Sequence, residues 1–557
     1  MADDFDAGPE PVDDEWPLRP WLLAAIGAIA GLVISLIFAS EGENAWGAGV
    51  AAFAFFAAIA AGFTFDEEGI GEAAIFSLSL GVVMGGIAYF AADWNEHRAA
   101  TEFTFSAGVF FSILAIPLFQ SDFHRRRWTT PYAETHFHVW TDAVSAGGAF
   151  AFVLLSWALL GLLHLLFSIV GIEAIGDIVD MDGFVGLFTG ATFGAALGVL
   201  RNQLRIIGTL QRVVMVIFTL LAVPFAAAIL IFLTVLLFSG GNALWEATDS
   251  ATPVLLACAV GCFVLANAVV RDTDKERSDN PAMLAAALVL AASIFPLTVF
   301  AAISMGIRID QHGLSPERLW ALVAIVIATA YGLAYWVGLA RGRIEGWSHY
   351  LRRANLHLAG ASCGVALELA LPILDFGAIS TRDQVARLQS GEVPPSEFDF
   401  DALRWDFGDA GRVALERLAG QGGDIGERAQ AMLDREERYP VMGETRFSGE
   451  AEVRFDFDDA ELRGWVATRV DQQPWLCEPD CVALDLGQDG DRRGVALVSR
   501  NGVNQLSFRD DGVPDPPPAP EIGVPQDTPL TPGNVKIREW TGRQVYVDGK
   551  PVGQPFE

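Results

Sequence analysis

Residues 21–39 read WLLAAIGAIAGLVISLIFA, without a single charge. A hydrocarbon core of about 30 Å needs roughly 20 apolar residues as helix, so this block is long enough to cross a bilayer. Outward from it, the pattern repeats over residues 20–376. Further blocks lie at about 46–65, 73–92, 103–120, 144–170, 183–200, 213–238, 251–270, 283–305, 319–338 and 356–376, separated by short polar loops. The runs are continuous rather than alternating, and a continuous run satisfies its backbone in lipid only as helix. The expected fold is an all-α polytopic membrane bundle of about 11 transmembrane helices, followed by a C-terminal soluble domain of α+β or mostly-β type.

The loop charges give an orientation. Lys and Arg accumulate on the cytoplasmic side of membrane helices. With the amino terminus inside, the inward loops hold Arg125, Arg126, Arg127, Arg201, Arg205, Arg212, Arg271, Lys275, Arg277, Arg341, Arg343, Arg352 and Arg353. The outward loops hold only Arg98, Arg308 and Arg318. The bias alternates loop by loop, so the count of crossings and the orientation support each other. An odd number of crossings puts the tail outside, which in a bacterial-type inner membrane is the periplasm. Residues 1–19 are acidic and Pro-containing. They read as a disordered cytoplasmic tail rather than a basic leader, with Trp21–Ala39 as an uncleaved anchor.

The formal net charge of −31 argues against nucleic acid, which needs a basic footprint. The expected partners are the lipid bilayer and a periplasmic protein or envelope component. No cofactor is expected, because GxSxG, HExxH, P-loop and dinucleotide patterns are absent.

The tail divides into a helical connector, 377–445, and a small β-rich domain, 446–557. Ser380 with Asp383 makes a capping-box pattern before VARLQ, closed by Gly391. Asp409 precedes AGRVALERLAG, with Leu415 and Leu418 on one face. Strand-like alternation marks RFSGEAEVRF, RGWVATRV, CVALDL, GVALVS and NQLSF. After a Pro-rich loop, VKIREW and RQVYVDG read as a closing hairpin.

Two stretches are distinctive. RIDQHGLSPERLWALV (Arg308 to Val323) is one. PILDFGAISTRDQVARLQSG with the following FDFDALRWDFGDAGRVALERLA is the other. Both resemble the domain-of-unknown-function 4153 family of bacterial multi-pass membrane proteins, over most of residues 20–420. The resemblance implies a membrane bundle and supplies no activity and no catalytic residues.

Several motifs are candidates for more than scaffold. Gly186, Gly190, Gly194 and Gly198 recur every four residues and form one flat strip on a helix. Such strips let helices approach closely in lipid, here as an intramolecular pair, a homodimer seam or a moving interface. His164 and Glu368 lie well inside apolar blocks, where ionisable groups are costly and usually face the bundle interior. They form a candidate intramembrane polar site at similar depth. Glu134 to His138 (ETHFH) reads as an interfacial segment more readily than as a metal site. Asp485, Asp489 and Asp491 make a weak calcium loop, because Gly487 stands where a third acid belongs. A hairpin turn is the plainer reading. Cys477 and Cys481 flank EPD in an oxidising compartment and should form a disulfide. No metal ligand set and no catalytic constellation is evident.

Two functional classes follow. One is a non-catalytic envelope protein whose periplasmic domain binds a partner or a cell-wall component. The other is a transporter or lipid-handling protein with a polar path through the bundle. Pro117, Pro224, Pro296 and Pro372, expected to kink helices, favour the second only weakly.

Overall fold

The computed structural model describes residues 16–40, 44–93, 97–239, 251–435, 438, 452–477, 480–489, 492–499, 502–509, 543–547 and 550–556. Two compact units divide the chain, Met1–Asp434 and Arg435–Glu557.

In the first unit the long helices are α1 (Arg19–Ala39), α2 (Ala45–Thr64), α3 (Ile70–Asp93), α4 (Thr101–Gln120), α5 (Tyr132–Ile169), α6 (Phe184–Arg201), α7 (Leu204–Phe238), α8 (Thr252–Val270), α9 (Pro281–His312) and α10 (Pro316–Ala370). Among the described residues ten helices are long and apolar enough to cross a membrane. The protein is a multi-span helical membrane protein. Pro117, Pro224 and Pro296 lie inside helices as expected. Pro372 does not: α10 ends at Ala370, because proline disfavours helix in the residue before it.

The tenth helix hides a reversal. Its 55 residues form one helical run, yet the Tyr335 hydroxyl donates to Asn355 Oδ1 at 2.7 Å. A straight helix would hold those residues about 30 Å apart. Gly338 also faces Tyr350 and Leu351, and Gly342 abuts the Trp347 backbone. The run therefore folds back beside Gly342 into two antiparallel arms. The first arm, Pro316–Gly342, is one of the ten apolar helices. The second contains the eleventh expected block, but Arg352, Arg353, Asn355, His357 and Glu368 make it less apolar than the rest.

The ends that meet are those the loop charges group together. Arg19 is 1% exposed, donates to Asn202 Oδ1 at 2.8 Å and pairs with Asp66 at 3.0 Å. Arg201 donates to the carbonyls of Gly62 and Phe65, and Arg125 pairs with Glu72. All lie at the end carrying the basic loops. At the other end Arg98 donates to the Leu374 carbonyl. The expected tail, 1–19, needs correction at its last residues: Trp16 and Arg19 are buried, and residues 1–15 lie outside the described residues.

Four helices follow the bundle in the same unit: α11 (Phe376–Ser390), α12 (Phe400–Trp405), α13 (Gly408–Ala419) and α14 (Gly423–Leu433). Leu388, Phe400, Leu403, Leu415 and Leu418 form their core. The N-cap of α11 is Asp375, whose side chain accepts from Ala378 N–H. Ser380 is a buried position inside that helix rather than its cap. Gly391 closes it at φ 77°, the left-handed conformation glycine tolerates.

The second unit has a four-stranded sheet, order β1-β2-β3-β4, from Glu452–Phe455, Asp480–Asp489, Arg492–Ser499 and Gly502–Arg509. β1 runs parallel to β2 and the other pairs are antiparallel. The link from β1 to β2 contains α15 (Ala460–Gln472), so RGWVATRV is helix and not the expected strand. Asp459 caps it by accepting from Glu461 and Leu462 N–H. Leu462, Val466 and Val470 recur every four residues on its buried face. That helical period overrides the short alternation. A separate two-stranded sheet joins β5 (Arg543–Val547) to β6 (Lys550–Phe556). The expected strand VKIREW lies outside the described residues.

Candidate functional site

The two distinctive sequence stretches meet. Helix α9 ends at His312, and Gly313 turns the chain at φ 72°. Ser315 caps α10 by accepting from Arg318 N–H, with Pro316 in the first turn, where its missing N–H costs nothing. The turn between the helices would leave backbone groups open. Asp383, Gln384 and Arg387 of α11 satisfy them. Leu314 N–H donates to Asp383 Oδ2 at 2.7 Å. Gln384 Nε2 donates to the carbonyls of His312 and Leu314 at 2.8 and 2.9 Å. Arg387 donates to the carbonyls of Asp310 and Gln311, both at 3.2 Å, and pairs with Glu392 at 2.9 Å. A cation at the carbonyl end of α9 also complements its dipole. Arg318 donates back to the carbonyls of His312 and Gly313. A Cβ at position 313 would meet the ends of the Asp383, Gln384 and Arg387 side chains, and the φ of 72° favours glycine there.

A second contact fastens the same helices. Gly408, at φ 63°, packs on the His97 carbonyl and the Arg98 backbone. Asp409 N–H donates to that carbonyl at 2.8 Å, and the Asp409 carboxylate pairs with His97 at 3.2 Å. A hydrogen bond from Arg412, then one from His97, holds the Asp409 carboxyl below the usual carboxylate range against the opposing effect of burial. The platform α11–α14 thus grips two loops at one end of the bundle.

At the opposite end lies a buried polar ring. Asn267 Nδ2 donates to Tyr335 Oη at 2.7 Å. Tyr335 donates to Asn355 Oδ1, and Asn355 Nδ2 donates to Asn267 Oδ1 at 2.6 Å. Beside it Arg352, 3% exposed, donates to the carbonyls of Val270 and Arg271 and pairs with Asp274 at 3.0 Å. Partial burial opposes ionisation of Asp274, but Arg352, the Ser348 hydroxyl and Arg277 outweigh it and hold that carboxyl below its usual range. The three ring residues satisfy one another. Asn355 Nδ2 also donates to the Tyr132 hydroxyl at 3.4 Å, which ties the ring to α5.

The expected candidate residues distribute as follows. Gly186, Gly190, Gly194 and Gly198 face Gly31, Gly27, Leu23 and Pro20 of α1, antiparallel and backbone to backbone. The glycine partners on α1 are too few to announce themselves in sequence. His164 packs on Gly176, in the short helical turn Ala174–Val179, with a buried Nδ1 that has no hydrogen-bond partner. Glu368 is exposed on the bundle surface. Among the described residues no hydrogen bond or ion pair joins the two. ETHFH lies within α5 as helix, with His136 buried between Tyr132 and Trp140. Among the described residues no group of three His, Cys, Asp or Glu is placed to hold a metal. Asp485 accepts from Gly487 N–H at the bulge in the β2–β3 pair, and Asp489 pairs with Arg492 in the ladder. Asp491 lies outside the described residues. Cys477 and Cys481 form a disulfide, with Cα atoms 5.1 Å apart.

Bundle, platform and junction define a polytopic helical membrane protein with a smaller helical platform packed on the loops at one end. The family described as Domain of unknown function (DUF4153) matches residues 19–418, and the chain belongs to it. That span ends within α13, so it takes in both halves of the junction. No curated protein and no solved structure matches the chain.

Proposed function

We propose that the chain is a non-catalytic envelope protein. The bundle anchors in a bacterial inner membrane with its amino terminus in the cytoplasm. The platform and tail domain stand in the periplasm and engage a protein or cell-wall component there. One observation carries this reading. Asp383, Gln384 and Arg387 of the second distinctive segment and Arg318 of the first all point at backbone carbonyls or amides of the turn between α9 and α10. Residues used that way hold a platform; they do not process a substrate. The loop charges support the orientation, and the disulfide suits an oxidising compartment. The transporter reading gains no comparable support, because the polar groups of the Asn267–Tyr335–Asn355 ring are taken up by one another, by Tyr132 and by the Phe263 carbonyl.

The test is photo-crosslinking in living cells from two exposed positions, Val413 on α13 and Val482 on β2. The reading expects a recurrent adduct with an envelope protein or with cell-wall material. Adducts with cytoplasmic proteins would contradict it.

A further inference from the structure

The reversal in α10 leaves an open groove of about 470 Å³ between its arms. Its size lies within the usual range of about 300–1,000 Å³ for small-molecule sites. Leu333, Ala334 and Val337 of the first arm and Leu358 of the second wall it with apolar surface. His357, held against the Trp128 ring at 5.4 Å, closes one side. The arms touch at Gly338 and are joined again by the Tyr335–Asn355 hydrogen bond. Over residues 330–337 the groove runs about 10 Å along the first arm.

Two adjacent arginines behave differently. Arg352 turns inward and is fully engaged with the end of α8 and Asp274. Those contacts place this level at the edge of the bundle, where α8 gives way to its loop. Arg353 is exposed, lines the groove, and has no ion-pair or hydrogen-bond partner among the described residues. A cation at the membrane edge above an apolar slot matches one amphipathic shape: a negative headgroup with a chain beneath it.

We propose that this groove binds an anionic phospholipid. Its phosphodiester oxygens accept from the Arg353 guanidinium, and one acyl chain lies along Leu333, Ala334, Val337 and Leu358. The site is independent of the platform and its partner.

The test uses the full chain in detergent, titrated with dioleoylphosphatidylglycerol or dioleoylphosphatidylcholine and read by native mass spectrometry. The chains are identical and only the headgroup charge differs. Wild type should prefer phosphatidylglycerol by about fivefold, the effect of one well-placed cation near a lipid surface. Arg353→Gln should erase the preference, and Arg353→Lys should restore most of it. Ala330→Phe, at an exposed position lining the same groove, should weaken both lipids. Melting temperatures should stay unchanged throughout. Equal binding of the two lipids by wild type would overturn the proposal. So would a preference that survives Arg353→Gln, binding undiminished by Ala330→Phe, or a lipid-resistant dimer, which would put a second copy in the groove.

Discussion

Single residues decide how the segments after the bundle hold together. Asp459 caps α15 and also pairs with Arg493 at 2.6 Å. The Leu462 amide, then Arg493, hold its carboxyl below the usual range. A depressed carboxyl contributes stability that is fully present above the unfolded value, about 3.9, and is lost as pH falls through the folded value. Hydrogen exchange of amides 460–472 in the full chain should therefore stay slow from pH 7 to pH 5. After brief exposure to more acidic buffer it should rise, once corrected for the intrinsic rate. Asp459→Asn keeps a capping acceptor but has no titrating group, so its corrected exchange should not depend on pH. If the variant showed the same acid loosening as wild type, Asp459 would not be the group responsible. Little of this level was legible in advance. Asp459 lay between apparent strands, and the alternation of RGWVATRV concealed the spacing of Leu462, Val466 and Val470. At the junction, Asp383, Gln384 and Arg387 act on backbone groups about 70 residues away. Every residue has such groups, so no sequence pattern marks the ones they choose.

Helices are the level the sequence exposes best, because bilayer thickness sets their length. Even so, the boundaries moved where polar residues continue a helix past its apolar block, as in the extension of α5 back to Tyr132. The α1–α6 pair shows what one helix alone can reveal. Its glycine strip was readable, but the surface it meets was not. At Gly190 a Cβ would overlap the Gly27 carbonyl oxygen, and at Gly27 it would overlap that of Gly190. Overpacking usually costs about 1–3 kcal/mol, and here backbone rather than a yielding side chain stands in the way. Gly190→Leu and Gly27→Leu should each lower the melting temperature in detergent, at the top of that range or above it. The double variant should lose much less than the sum, since either change alone parts the helices. A wild-type melt for Gly190→Leu would show that the strip does not hold this pair.

The whole molecule joins a bundle to a platform through the reversal in α10, which sets the number of crossings. Two antiparallel arms keep the alternation of basic and non-basic ends that the loops announce. Alkaline phosphatase fused after Glu557 should be active, and a cytoplasm-dependent fluorescent protein fused there should be dark. The opposite pattern would mean that the second arm does not cross. The bundle was legible as a class because lipid punishes every exposed polar group. The platform's attachment was not, because it depends on one turn meeting one helix in space. That attachment is the central claim, and hydrogen exchange of the full chain in membrane mimetic tests it most directly. In wild type the amides of residues 376–433 should be protected alongside the bundle. In Asp383→Ala with Arg387→Ala, protection should fall across 376–433 and at Leu314, while the membrane helices keep theirs. Unchanged protection of the platform in that double variant would contradict the account.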